Sequence, residues 1–141
     1  MVNTKISPSE LHTLQLPSTL ESLNLLENFI DQICGHYQIN EEVYANVLTC
    51  VNEACVNAIV HGNKLNAELR VYINVEMVDG KKLIFTVSDE GEGFDYEHVP
   101  DPTLEDNREK ISGRGVYIIR KLADQCIFNK KGNELELHFK I

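Results

Sequence analysis

No apolar run in the 141 residues approaches the roughly 20 needed to cross a bilayer, so neither a spanning protein nor a membrane partner is expected. The opening segment MVNTKISPSE lacks the basic-then-apolar order of a secretory signal. The four cysteines, Cys34, Cys50, Cys55 and Cys126, include no CxxC pair, a pattern that suits neither a zinc site nor a disulfide framework. They read as reduced, mostly buried thiols of a cytoplasmic protein. Basic residues are scarce: 13 Lys and Arg stand against 22 Asp and Glu, a net charge of -9. Such a chain repels a phosphate backbone, which disfavours nucleic acid as a partner. A nucleotide is not excluded, because backbone N–H groups and a metal ion hold phosphates without a basic surface. Repeats, low-complexity tracts and internal linkers are also missing, so residues 1–141 are expected to form one domain. What is present is 43% apolar and 25% charged, the balance of a soluble protein whose core needs no staples.

Leu11 to Leu16 alternates as a first strand and stops at Pro17. Ser18 with Glu21 reads as a capping box for a helix through Leu20, Leu23, Leu26, Ile30 and Ile33, ending at Gly35. Asn40, Glu41 and Glu42 open a second helix, predicted to run to about His61 and stop at Gly62-Asn63. Arg70 to Val78 alternates as a strand, Asp79-Gly80 is a hairpin turn, and Leu83 to Val87 returns. Between Ser88 and Ser112 the chain is rich in Gly, Asp, Glu and Pro without a period, a loop too long to be an idle connection. Val116, Ile119, Leu122 and Ala123 then predict a short amphipathic helix, followed by a hairpin of Cys126–Phe128 and Leu135–Ile141 turning at Gly132-Asn133. The order β-α-α-β-β-loop-α-β-β predicts an α+β two-layer sandwich, with helices on one face of a mixed, mainly antiparallel sheet.

On a wheel at about 100° per residue, the second helix is apolar over most of its circumference. Val43, Val47, Val51, Ala54 and Ala58 form a broad face that Leu48, Cys55 and Ile59 extend. A narrow stripe of Asn46, Glu53, Asn57 and His61 interrupts it, with the last three spaced four apart and pointing one way. A solvated edge is one reading, although the helix carries no Lys or Arg between Val43 and His61. The other reading is a ligand or metal pocket, which would supply the partners that an enclosed carboxylate and amide need. Asn46 reads as structural, and His61 also suits a helix C-cap.

Two glycine motifs follow. Asp89-Glu90-Gly91-Glu92-Gly93-Phe94 succeeds a strand directly; its glycines permit close backbone approach, and its leading carboxylate could accept a hydrogen bond from an exocyclic amine. An ordinary Asp/Gly turn would look the same. Ser112-Gly113-Arg114-Gly115-Val116 opens a helix, where free N–H groups suit an anion; a structural glycine turn is the alternative. It is neither a P-loop nor a dinucleotide fingerprint, for GxxxxGK[ST] and a surrounding βαβ unit are both missing. In this fixed order, the helix stripe and the two glycine motifs are the parts of one nucleotide site.

These residues resemble the GHKL superfamily of ATP-binding domains (gyrase, Hsp90, histidine kinases, MutL), with its Bergerat fold. Within it, the chain is most similar to the stand-alone bacterial anti-sigma factor serine/threonine kinases. The segment Asn52 to Asn63 resembles their N-box, Ser88 to Asp95 the first glycine box, and Ser112 to Ile119 the second. The resemblance covers nearly the whole chain.

It implies ATP and Mg²⁺ as ligands. Asn57 would coordinate the Mg²⁺, Glu53 would be the general base, and Asp89 would bind the adenine amino group. Gly91, Gly93 and Phe94 would lie at the base; Gly113, Arg114, Gly115 and Val116 would meet the phosphates as a lid of about residues 95–112 closes. His61 is carried with the nucleotide-binding set. The implied activity is transfer of the γ-phosphate to a serine or threonine of a STAS-type anti-sigma factor antagonist, with a sigma factor as second partner and a homodimer as the assembly. The alternative is a nucleotide-gated binding module without productive turnover. Where sigma-inhibiting relatives usually carry an arginine before the second glycine box, this chain has Lys110 and Ile111, with Arg108 further back. No counterpart of the late-strand threonine near the adenine stands out around Gly132.

Overall fold

The computed structural model describes residues 9–92, 111–129 and 131–141. Its strands are β1 (Ser9–Pro17), β2 (Arg70–Val78), β3 (Lys82–Ser88), β4 (Gln125–Phe128) and β5 (Glu134–Lys140); its helices are α1 (Leu23–His36), α2 (Glu41–Val56) and α3 (Ile111–Leu122). The predicted element order is the observed one. The sheet runs β1-β2-β3-β5-β4, and each of its four pairings is antiparallel, so the expected mainly antiparallel sheet is antiparallel at every described ladder.

Alternation along the strands produces two unlike faces. Leu14, Ile73, Val87, Leu135 and Phe128 are successive cross-strand partners in one row spanning all five strands. The helices cover that face. Leu26, Ile30 and Ile33 of α1 and Val47, Cys50, Val51, Ala54 and Cys55 of α2 are buried with Ile73, Val75, Phe85 and Leu137 of the sheet. Each large apolar side chain so enclosed contributes about 1.5–3 kcal/mol. Phe85 and Phe139 meet edge to face at 6.0 Å between centroids, a favoured aromatic geometry. Tyr72, Asn74, Glu76, Thr86 and Glu136, on the opposite face, stay partly exposed.

Glu41–Gly62 is long and apolar enough to cross a bilayer by length and composition alone. It is the core helix of this fold, and its buried side chains pack on the sheet. All four cysteines are free, three of them buried and Cys126 half-buried. Burial pushes the Cys34 thiol up to about 11 and that of Cys50 up to about 12, which keeps them protonated and poorly nucleophilic.

Several local signals operate as read. Asn40 caps α2, its Oδ1 accepting from the Val43 N–H at 2.9 Å. The β2–β3 turn adopts left-handed φ at Asp79 (55°) and Gly80 (66°), the backbone a tight hairpin favours. Ser18 behaves differently from the capping box expected of it. Its hydroxyl donates to the Leu69 carbonyl at 2.8 Å and accepts from Asn63 Nδ2 at 2.8 Å, while a 3₁₀ turn, Leu20–Ser22, precedes α1. The long-range bonds win because Ser18 is fully buried and must be satisfied inside the protein.

Asn63 is the other half of that tie. Only 2% exposed, it also donates to the Arg70 carbonyl at 3.0 Å and accepts from the Glu90 N–H at 2.8 Å. One amide thus joins the β1–α1 connection, the end of the core helix, the start of β2 and the turn after β3. Asn63→Ala strands several buried polar groups and is expected to lower unfolding free energy by about 2–3 kcal/mol in urea titrations. A loss below about 0.5 kcal/mol, typical of a surface change, would contradict this role.

Candidate active site

The core helix changes pitch where the polar stripe ends. α2 is regular to Val56, and Asn57–Gly62 continues as a π-helix, with the Asn63 N–H donating to the Ala58 carbonyl five residues back at 2.8 Å. The continuous α-helix predicted to His61 therefore gives way to a wider last turn. Such π turns recur at functional sites because they re-aim side chains. Here His61 is exposed, and Gly62 faces the strand-end carboxylate of Asp89.

That contact depends on two missing side chains. A Cβ on Gly62 would overlap the Asp89 carboxylate, and one on Gly91 would overlap the Gly62 carbonyl. The turn after β3 can therefore pack directly on the helix end. The Gly91 N–H donates to Asp89 Oδ1 at 2.7 Å. The second oxygen of Asp89 is held against Gly62. Burial pushes the Asp89 carboxyl above its ordinary value of 3.8, partly offset by the Gly91 N–H and the charge of Lys131.

Asn57, His61, Gly62 and Asp89 share one cleft. Its empty space, the solvent-facing part included, is about 450 Å³. Val87, Leu135, Phe128 and two alanines of the core helix, Ala54 and Ala58, supply apolar walls, while Gly132, Asn133 and Glu134 form a rim. An apolar slot with a few convergent polar groups is the usual build of a small-molecule site. The sequence reading missed these wall and rim residues. The strand alternation marks Val87 and Leu135 as inward-facing, but nothing in the sequence says which inward residues lie under a gap between helices.

α3 also meets the stripe. A Cβ on Gly115 would stand 3.0 Å from Glu53 Oε2 and 3.1 Å from Asn57 Nδ2. The carboxylate and the amide therefore converge on the backbone of the second glycine motif, and both are half-buried. The solvated-edge reading of the stripe does not hold for these two. Glu53 does not line the cleft with Asn57; it opens onto a neighbouring groove with Glu27, Leu48, Thr49 and Asn52.

The second glycine motif departs from its expected place ahead of a helix, because α3 begins at Ile111 and contains Gly113 and Gly115. Val116 is fully buried and lies outside the cleft lining, so its side chain is a packing group rather than a contact for a ligand. Gly93 and Phe94, and the expected lid up to residue 110, lie outside the described residues.

Asn57 lines the cleft, and its Oδ1 is an oxygen donor of the kind a hard cation takes. Among the described residues no group of three or more His, Cys, Asp or Glu could hold a metal alone.

Residues 16–139 match the family model of the histidine kinase-like ATPase domain, and the chain belongs to that family. It is 38% identical over 80 residues to the anti-sigma F factor of Bacillus subtilis (strain 168), covering 55% of this chain and 54% of that protein. It is 26% identical over 125 residues to the serine-protein kinase RsbW of Staphylococcus epidermidis, covering 84% of this chain and 78% of the kinase. The chain thus spans about half the length of the anti-sigma F factors it matches. A solved structure of the RsbU and RsbW domains of Rv1364c from Mycobacterium tuberculosis aligns with a TM-score of 0.60, at 8% identity, over 93% of this chain and 31% of that one. This last likeness is one of fold.

The environment of Asp89 predicts a pH signature. With its folded pKa above the unfolded one, the folded chain binds more protons in the window between them. Asp89 therefore makes stability fall as pH rises through that window. Asp89→Asn removes the effect, so the stability of the variant relative to the parent should rise in urea titrations as the pH is raised from the ordinary carboxylate value of 3.8. An opposite trend would contradict a desolvated carboxylate.

Proposed function

We propose that the chain is an ATP-dependent protein serine/threonine kinase of the anti-sigma factor type. It would transfer the γ-phosphate to a serine or threonine of a STAS-type antagonist protein and exchange that antagonist for a sigma factor, regulating transcription by partner switching. The observation that carries this reading is the convergence of Glu53 and Asn57 on Gly115, beside a cleft that Asn57 and Asp89 both line. Support also comes from relatives named serine-protein kinase and anti-sigma factor.

On this reading each end of the cleft has one task. The Asp89 carboxylate accepts from the exocyclic amine of adenine, and the walls formed by Val87, Leu135 and Phe128 hold the ring by contact and water exclusion. Asn57 holds Mg²⁺, which when bound neutralises charge on the phosphate oxygens. Gly113, Arg114 and Gly115 of the second glycine motif meet the same anion. Phosphoryl transfer needs positioning and charge balance more than covalent chemistry from the protein. Glu53 takes the proton of the attacking hydroxyl as oxygen bonds to the γ-phosphorus, and the bond from that phosphorus to the β–γ bridging oxygen breaks, releasing ADP. Its opening onto a separate groove lets an acceptor hydroxyl approach from the side away from the base. Residues 1–141, lid included, act as one domain, working as a cytoplasmic homodimer.

The test is transfer of radiolabelled phosphate from Mg²⁺·ATP to candidate antagonist domains. Glu53→Ala should retain ATP binding and lose transfer by about 100-fold or more, whereas Asn57→Ala should lose Mg²⁺-dependent ATP affinity. A parent protein that binds ATP but labels no antagonist would favour a nucleotide-gated binding module, and undiminished transfer by Glu53→Ala would remove the assigned base.

A further inference from the structure

Asn129, at the end of β4, does not line the cleft, yet a relay of hydrogen bonds connects it to Asp89. Its Oδ1 accepts three backbone N–H groups of the β4–β5 turn: Gly132 at 2.7 Å, Asn133 at 3.1 Å and Glu134 at 3.2 Å. Three donors on one atom fix that atom as oxygen, so the other end of the amide is Nδ2. This Nδ2 donates to Asn133 Oδ1 at 2.9 Å. The bond fixes the second amide in turn, and Asn133 Nδ2 donates to the Asp89 carbonyl at 3.2 Å. The Asp89 N–H donates back to the Asn133 carbonyl at 3.0 Å. The peptide that carries the cleft carboxylate is therefore gripped on both sides by Asn133, whose amide orientation is dictated by Asn129.

We propose that Asn129 is the positioning residue for base selection in this cleft, acting through Asn133 to hold Asp89 where it can read an exocyclic amine. The inference rests on the ATP reading given above and adds the residue that sets its selectivity. A turn held by backbone bonds alone would leave Asn133 free to rotate. With Asn129 in place, Asn133 has only one orientation in which both of its neighbours are satisfied.

The isosteric Asn129→Asp separates this role from simple turn closure. A carboxylate keeps all three N–H bonds, so the hairpin remains closed. Its second oxygen, however, now faces Asn133 Oδ1, acceptor against acceptor. Relief requires the Asn133 amide to turn over, which places its oxygen against the Asp89 carbonyl and removes a grip on Asp89. Unsatisfied pairs of this kind are costly in partly buried surroundings.

The experiment measures binding of Mg²⁺·ATP and Mg²⁺·purine riboside triphosphate, which lacks the 6-amino group, by calorimetry. The parent should prefer ATP. Asn129→Asp should weaken ATP by about tenfold, the equivalent of one lost hydrogen bond, and leave the analogue nearly unchanged, so that the preference collapses. Its melting temperature should fall by no more than about 8 °C, leaving it folded at the assay temperature. Asn133→Ala should reproduce the collapse, and adding Asn129→Asp to it should change nothing more, the non-additivity expected of residues acting in series. If Asn129→Asp unfolds, Asn133→Ala, which retains the three bonds to Asn129 Oδ1, reads the same ratio. Retention of the parental preference in both variants, or equal loss for both nucleotides, overturns the inference while the ATP reading stands. A parent that binds neither nucleotide overturns both.

Discussion

The contact between Gly62 and Asp89 is the constraint on which the arrangement depends. A helix end and a strand end can approach this closely only where the helix presents no side chain, and a methyl group on Gly62 would occupy the space of the carboxylate. The π turn at Asn57–Gly62 presents that bare backbone, and Asn63 fastens it to β2 and to the turn after β3. With that corner closed, Asn57 of the core helix and Asp89 line one cleft. Gly115 then lets α3 close on Glu53 and Asn57. Three segments far apart in sequence become one surface.

Charge explains why the site is built from backbone and amides. At a net charge of -9 the protein offers no general attraction to phosphates, and the stripe on the core helix has no cation. On the proposed reading an anion is held locally, by backbone N–H groups of the second glycine motif and by a metal ion beside an amide oxygen. The same economy holds at the base end. Burial raises the Asp89 pKa, and the Gly91 N–H bond partly offsets that rise.

Much of the architecture was legible in the sequence because it rests on period and punctuation. Alternation at Arg70–Val78, the Asp79-Gly80 turn, Asn40 before two glutamates and the unbroken apolar face of α2 each carry their own physical signal. The stripe of Glu53 and Asn57 was legible for the same reason, as polar groups where burial demands partners. What stayed hidden is tertiary. Ser18 looks like a helix cap, and only the fold shows it bonded to Leu69 and Asn63. No local pattern announces a π turn, so His61 looked like one more rung on the stripe. Val116 reads as part of the second glycine motif but packs inside. Asn129 and Asn133 look like ordinary turn residues, and their relay to Asp89 appears only when β3 and β5 are neighbours.

The most direct test of this account is a titration of isotopically labelled protein with Mg²⁺·ATP, followed by amide chemical shifts. If the helix end and both glycine motifs form one nucleotide cavity, the amides of Asn57, Gly62, Asp89, Gly91, Gly115 and Asn133 should move together along a single saturating curve. Amides on the open face of the sheet, such as those of Asn74 and Thr86, should remain still. Shifts at Asp89 and Gly91 without any at Asn57 and Gly115, or curves with different midpoints, would mean that these segments do not share a ligand.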